Sequence, residues 1–474
     1  MFDKKFHHKS ICSFVTISSC IVIILISCQK DNTNHLIPDA GEELSAGALT
    51  VFDESPNAFG NPIRNLSGLD ELNFFVGNSF FNQSWVSAPA TTTARDGLGP
   101  MFNARSCAGC HFKDGRGRAP LFDGEASQGF LIRLSVPGQD AHGGPKAAPN
   151  YGGQLQDRAT GNIPPEASIG ITYESISGTY ADGESYTLRK PIYHITNPAY
   201  GALDPNIMMS PRVGNQMIGL GLLEAISTHD LLANEDPLDS NGDGISGRAN
   251  YVWNTEEQST NIGRFGWKAN QPNLRQQVAG AFNGDLGITS SIFPNQNCTD
   301  TQEACNDAPD GGSPEIENEA LEHVVLYSST LAVPARRNWD DSTVLKGKKA
   351  FEDANCNGCH IQKFTTGIHP DFAALSNQTI RPYTDLLLHD MGDELSDNRP
   401  DFLATGNEWR TPPLWGIGLF DVVNNHTEYL HDGRAKNLTD AILWHGGEAE
   451  NSVKAFKEMP KNKRLALIEF LNSL

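Results

Sequence analysis

The stretch "RSCAGCHFKDGRGRAP", Arg105 to Pro120, packs two cysteines and a histidine into five residues and follows them with an Arg/Gly-rich run. A second copy, "NCNGCH", occupies Asn355 to His360. C-x-x-C-H is the attachment signature of c-type haem. Cysteines at this spacing can form thioethers with the two vinyl groups along one porphyrin edge, and the adjacent histidine then reaches the iron from one face. Zinc would want two further soft ligands at each site. A redox dithiol needs no following histidine, and it belongs beside a strand–helix–strand pattern that neither motif shows. Cys107, Cys110 and His111 therefore read as one haem c site, and Cys356, Cys359 and His360 as a second.

Working outward, "STVLKGKKAFEDANCNGCH" (Ser342 to His360) carries Val344, Leu345, Lys348 and Phe351 at helical spacing, which predicts an amphipathic helix leading into the motif. The last residues, "NKRLALIEFLNSL", place Leu467, Phe470, Leu471 and Leu474 on one face of a terminal helix. Helix, CxxCH and helix in that order make the cytochrome c plan, so residues 335–474 read as a C-terminal cytochrome c domain. Residues 71–330, opening on "ELNFFVGNSFFNQSW", read as an N-terminal haem c domain with a long insertion. Within the insertion "GFLIRLSVPG" and "ESYTLRKPIYHI" read as short strands separated by Gly/Pro/Asn clusters. The expected fold is mainly α: two cytochrome c-like domains with a large loop-rich insertion carrying minor β.

A chain of 474 residues has room for two such domains. Its formal charge of −21 argues against nucleic acid, whose phosphates would be repelled, and suits a basic or neutral partner such as a small electron-carrier protein. The first residues read as an export signal: Lys4, Lys5 and Lys9, then the apolar run "ICSFVTISSCIVIILIS", short for a membrane span. The run ends in "LISC", which resembles the lipobox of bacterial lipoproteins. The resemblance implies removal of residues 1–27, lipidation of Cys28, a tether over residues 28–70, and a protein exported and anchored to a bacterial membrane; an uncleaved anchor is the alternative. Of nine cysteines, Cys12 and Cys20 then leave with the signal, and Cys298 and Cys305, close together in "NCTDTQEAC", are expected to form a disulfide.

The chain resembles the bacterial di-haem cytochrome c peroxidases, and most closely the related di-haem oxidoreductase family. The resemblance rests on "GPMFNARSCAGCHFKDGRG", "LIRLSVPG", "MIGLGLLEAI", "GRFGWKANQPNL", "TDLLLHDMG", "EWRTPPLWGIG" and "YLHDGRAKNLTDAILWHGGEA", which run from about residue 70 to 450. It implies electron entry at the C-terminal haem and reduction of hydrogen peroxide at the N-terminal one. In those peroxidases an "HDG" element is followed, fourteen positions on, by the methionine that ligates the C-terminal haem. Here the same count from His431 reaches His445, which implies His445 as the sixth ligand opposite His360. A second imidazole in place of a thioether would lower the potential.

Cleaving the O–O bond needs a group that moves a proton between the two peroxide oxygens. Related enzymes use a carboxylate between the haem motifs; Glu224 in "QMIGLGLLEAIS" is the first choice and Glu174 in "ITYESISG" the second. A lone acid in an apolar run would have its pKa raised by desolvation, while an outward-facing helix charge is the alternative. Trp267 in "GRFGWKAN" is the candidate for the family's inter-haem tryptophan, against a plain core residue. Arg105, Arg116, Arg410 and Arg434 flank the motifs as candidate propionate partners. "DSNGDG" sets Asp239, Asn241 and Asp243 at positions 1, 3 and 5 of a possible Ca²⁺ loop, although position 12 is Asn250 rather than glutamate. Two other functions stay open: a non-catalytic di-haem electron-transfer lipoprotein, and an oxidase acting on a protein substrate.

Overall fold

In a computed structural model of the chain, residues 36–126 and 129–474 are described. The export segment 1–27 and the Cys28 anchor lie outside them. Residues Ile37–Leu474 form one compact unit.

Two crossing helices frame the second haem motif. Asp341 starts the first, Ser342–Asp353, its carboxylate accepting from the backbone N–H of Thr343 at 2.7 Å and of Val344 at 3.3 Å. These are donors that a helix start otherwise leaves unpaired. Val344, Leu345, Ala350 and Phe351 turn inward and pack against the terminal helix Lys461–Ser473. A Cβ on Gly347 would stand 1.9 Å from the Ala466 carbonyl oxygen, so only glycine allows this approach. Phe470, fully buried, meets Phe351 at 5.1 Å and Tyr383 at 5.7 Å between ring centroids. The first half repeats the device: helix Leu69–Asn82 crosses helix Asn318–Thr330 at Gly77, whose Cβ would lie 2.0 Å from the His323 oxygen.

The expectation of a mainly α chain with minor β is not met. The described residues are 28% helix and 18% strand. Among the described residues, twelve strands form six two-stranded sheets alongside eleven α-helices. The longest sheet is the hairpin Ser168–Thr179 with Ser185–Thr196, paired from Ser168↔Thr196 to Thr179↔Ser185. Most of its first strand faces solvent, so no clean alternation of apolar and polar residues announces it. The hairpin reaches across to the second half. Arg464 pairs with Asp182 at 3.0 Å and Glu184 at 2.8 Å near its tip, and Tyr193 donates to Asp432 at 2.8 Å near its base.

Two smaller sheets place functional side chains. Phe130–Ser135 pairs with Met208–Val213 and carries Arg133 and Arg212. Leu388–Asp390 pairs with Glu408–Arg410 and carries His389 and Arg410. Cys298 and Cys305 are joined as a disulfide.

Candidate functional site

Each CxxCH motif opens into its own cavity. Cys107, Cys110 and His111 line one with about 1400 Å³ of empty space, and Cys356, Cys359 and His360 line another with about 1390 Å³, open mouths included. The two share a wall: Trp267, Arg410 and Pro413 line both.

The surroundings of the motif sulfurs weigh against a zinc site or a reactive dithiol. Burial pushes the thiols of Cys107 and Cys356 up to about 12, and raises those of Cys110 and Cys359 as well. A zinc site or a reactive dithiol needs thiolates, which such surroundings penalise. A neutral thioether suits them.

Three histidines share one arrangement. His111 Nδ1 lies 2.6 Å from the Asn215 carbonyl, His360 Nδ1 2.9 Å from that of Tyr383, and His445 Nδ1 2.6 Å from that of Ala441. A carbonyl can only accept, so Nδ1 carries the proton and Nε2 keeps a free lone pair. Burial lowers the pKa of all three, and in His360, brought to about 4, the neighbouring His445 adds to the effect. All three rings are therefore neutral at pH 7, the form that ligates a metal. His360 and His445 line the C-terminal cavity together with His389 and His431, whereas among the described residues His111 is the only histidine lining the N-terminal one.

The guanidinium groups test the fit of a porphyrin more sharply. Arg116 and Arg410 both line the C-terminal cavity and are buried without an ion-pair partner among the described residues. Burial pulls both down to about 10. Arg116 Nη2 donates to the Leu430 oxygen while its Nε has no partner, and Arg410 donates to the oxygens of Gly266 at 2.8 Å and Thr411 at 3.3 Å. Two buried cations without carboxylates match the two propionates of a haem. The N-terminal cavity is lined by Arg133 and Arg212 together with Asp285; Arg212 and Arg399 pair with Asp401, and Lys268 with Asp397, each at 3.0 Å. Of the four arginines proposed from sequence, Arg434 is committed to Asp432 at 2.8 Å and Arg105 is exposed.

The shared wall is aromatic. Trp267 Nε1 donates to the Val213 oxygen at 2.8 Å, and Arg116 stands 5.3 Å over its ring. His431 lies 6.5 Å from the Trp267 ring and stacks on Trp409 at 3.7 Å. Burial lowers the pKa of His431 to about 3, so this stack is neutral.

Neither proton-transfer candidate lines the N-terminal cavity. Glu224 ends the five-residue helix Leu220–Glu224, and its carboxylate accepts from Leu274 N–H at 2.7 Å and approaches His369 Nε2 at 3.3 Å. It serves the start of the helix Leu274–Leu286 instead. Glu174 is exposed on the long hairpin opposite Lys190. The carboxylate lining the N-terminal cavity is Asp285, which sequence reading missed. Gln277, Ala281 and Asp285 repeat every four residues along "LRQQVAGAFNGDL" and all line the cavity, and that spacing was a usable signal. Gln154 Nε2 donates to Asp285 Oδ1 at 2.8 Å, which leaves Oδ2 for a proton.

In the Asp239–Asp243 loop the side-chain oxygens accept from the backbone of the loop itself. Asp239 and Asp243 accept from the N–H groups of Gly244 and Ile245, and Asn241 accepts from that of Asp243 at 2.8 Å. Among the described residues no cluster of three or more His, Cys, Asp or Glu side chains is arranged to hold a metal ion.

Comparison with known families gives one match. The model of the family described as "Di-haem oxidoreductase, putative peroxidase" covers residues 40–474. No curated protein matches the chain.

Proposed function

The chain belongs to the di-haem oxidoreductase family, and from that premise we propose that it takes electrons from a small donor protein at its C-terminal site and reduces hydrogen peroxide at its N-terminal one. Cys356, Cys359, His360 and His445 would hold one haem c; Cys107, Cys110 and His111 would hold the other. Haem at the two sites would supply irons that exchange electrons and reduce peroxide. The observation that carries the reading is this asymmetry: two histidines whose Nδ1 is held by a backbone carbonyl, His360 and His445, line the C-terminal cavity, and one so held, His111, lines the other. Met217, which also lines the N-terminal cavity, sits two residues after Asn215, whose carbonyl holds His111.

The chain's own groups then divide the work. Gln154 fixes the Asp285 carboxylate through Oδ1, and Asp285 Oδ2 takes a proton from one peroxide oxygen and returns it to the other. With two electrons and two protons, each hydrogen peroxide leaves as two waters. Trp267 lies in the wall between the cavities together with Arg410, with the His431–Trp409 stack beside it. The low potential of a bis-imidazole site suits a low-potential donor. The charge of −21 favours a donor with a basic face, and export with lipid attachment at Cys28 would set both partners outside the cytoplasm.

Peroxide turnover with a generic reductant tests the reading. Asp285→Asn should lower it about 100-fold or more, the scale of a lost acid–base group. Full turnover in that variant removes Asp285 from the chemistry. No turnover in the wild-type protein with both haems loaded favours the electron-carrier alternative.

A further inference from the structure

A buried ion triplet lies beside the C-terminal cavity, and the function above does not use it. His389 is 2% exposed, on the strand Leu388–Asp390. Its Nε2 lies 2.8 Å from Asp385 Oδ2 and its Nδ1 2.7 Å from Glu448 Oε2. Both ring nitrogens face carboxylates, so both donate and the ring is an imidazolium. Burial alone would pull its pKa down, but Asp385 and Glu448 outweigh burial and raise it. The same Nδ1 is 3.4 Å from the Cys359 sulfur.

Glu448 is the knot of this cluster. Oε1 accepts from Ser246 Oγ at 2.8 Å and Asp390 N–H at 3.1 Å, and Oε2 accepts from Ser246 N–H at 2.9 Å as well as from His389. It stands three residues after His445, in the turn Gly447–Ala449. That turn is pressed against the strand: a Cβ on Gly447 would lie 2.3 Å from the Asp390 oxygen, and one on Gly392 2.9 Å from Gly447 N. His445 itself follows the helix Leu438–Trp444 as its last cap, so only this turn holds it from the other side.

We propose that Asp385, His389 and Glu448 are positioning residues that pin the turn after His445 and so keep its Nε2 on the second iron. The cluster would thereby join the two ends of one attachment, the Cys359 thioether edge and the axial histidine. This rests on the reading of His445 as a ligand. Charge-assisted hydrogen bonds of this kind are the strong ones, and removing one partner of a buried pair frees the other. A loosened turn lets His445 leave, and the second iron becomes five-coordinate.

The test uses the purified protein with both haems loaded. Glu448→Gln keeps the shape and removes the charge; His389→Gln removes the imidazolium. In each, the reduced protein should take up two CO molecules per chain instead of one, and the oxidised spectrum should gain a high-spin component. If Glu448→Gln fails to fold, Ser246→Ala removes a single bond to the same carboxylate and should raise CO uptake above one per chain. One CO per chain with an unchanged low-spin spectrum in all the variants that fold would overturn the proposal. His445→Ala separates the two ideas. If it leaves the second haem low-spin, the ligand reading fails; if it creates a second CO site while the triplet variants do not, only the positioning role fails.

Discussion

Glu166 offers a quantitative test of the electrostatics of this fold. It is 1% exposed, with Oε2 accepting from Gln156 N–H and Oε1 from Gln302 Nε2, both at 2.6 Å. Through Gln302 it anchors the Cys298–Cys305 disulfide loop. Burial outweighs these two bonds and raises its pKa from 4.5 to about 7. The unfolded chain therefore releases this proton near pH 4.5, while the folded chain keeps it to about pH 7, so stability falls as pH rises between those values. From pH 5 to pH 8 the loss works out at about 2.5 kcal/mol. Glu166→Gln cannot ionise. It should be less stable than wild type at pH 5, because its amide must face the Gln302 amide. The gap should then close by about 2.5 kcal/mol on moving to pH 8. Urea unfolding of the haem-loaded proteins at both pH values, followed by far-ultraviolet circular dichroism, measures this. A gap that stays constant or widens would refute the reasoning.

Further predictions follow from the same geometry. Gly347→Ala pushes a methyl onto the Ala466 oxygen, a backbone obstacle 1.9 Å away, and should cost at least the about 1–3 kcal/mol of ordinary overpacking in urea unfolding; a cost under about 0.5 kcal/mol would mean the helices slide apart freely. Trp267→Phe removes the donor to the Val213 oxygen and should cost about 1–3 kcal/mol. It should also slow electron transfer between the haems in rapid-mixing spectroscopy, and an unchanged rate takes Trp267 off the route. Replacing Cys107 and Cys110 together by serine should remove one porphyrin from the intact mass and leave the C-terminal haem spectrum in place; loss of both, or of neither, would break the assignment of one haem to each motif.

What the sequence made legible is what depends on short spacing. The two CxxCH motifs, the helix Ser342–Asp353 with its inward Val344 and Phe351, and the terminal helix around Phe470 all follow from residues within a few positions of each other. The strands Phe130–Ser135 and Ser185–Thr196 were legible in the same way, but the extent of the strand content was not, because the hairpin Ser168–Thr196 owes its place to ion pairs and hydrogen bonds with Arg464 and Asp432, far away in the chain. Glu224 looked like a lone acid in an apolar helix. The helix stops at that residue, and the N–H that claims its carboxylate belongs to Leu274, fifty positions on. Asp285 was hidden for the opposite reason. "FNGDLG" reads as the polar end of a helix, with Gly287 at a positive φ of 69° closing it; the spacing of Gln277, Ala281 and Asp285 puts them on one face, but the fold decides that this face meets a cavity. His389 and Glu448 are likewise ordinary polar residues until the fold brings their strands together.

Carbon monoxide titration of the fully reduced wild-type protein, followed by difference spectroscopy, addresses the asymmetry between the two irons most directly. Uptake of one CO per chain, at the haem held by His111, is the expected result. Uptake of none would leave no open iron to meet peroxide, and uptake of two would leave His445 without its place opposite His360.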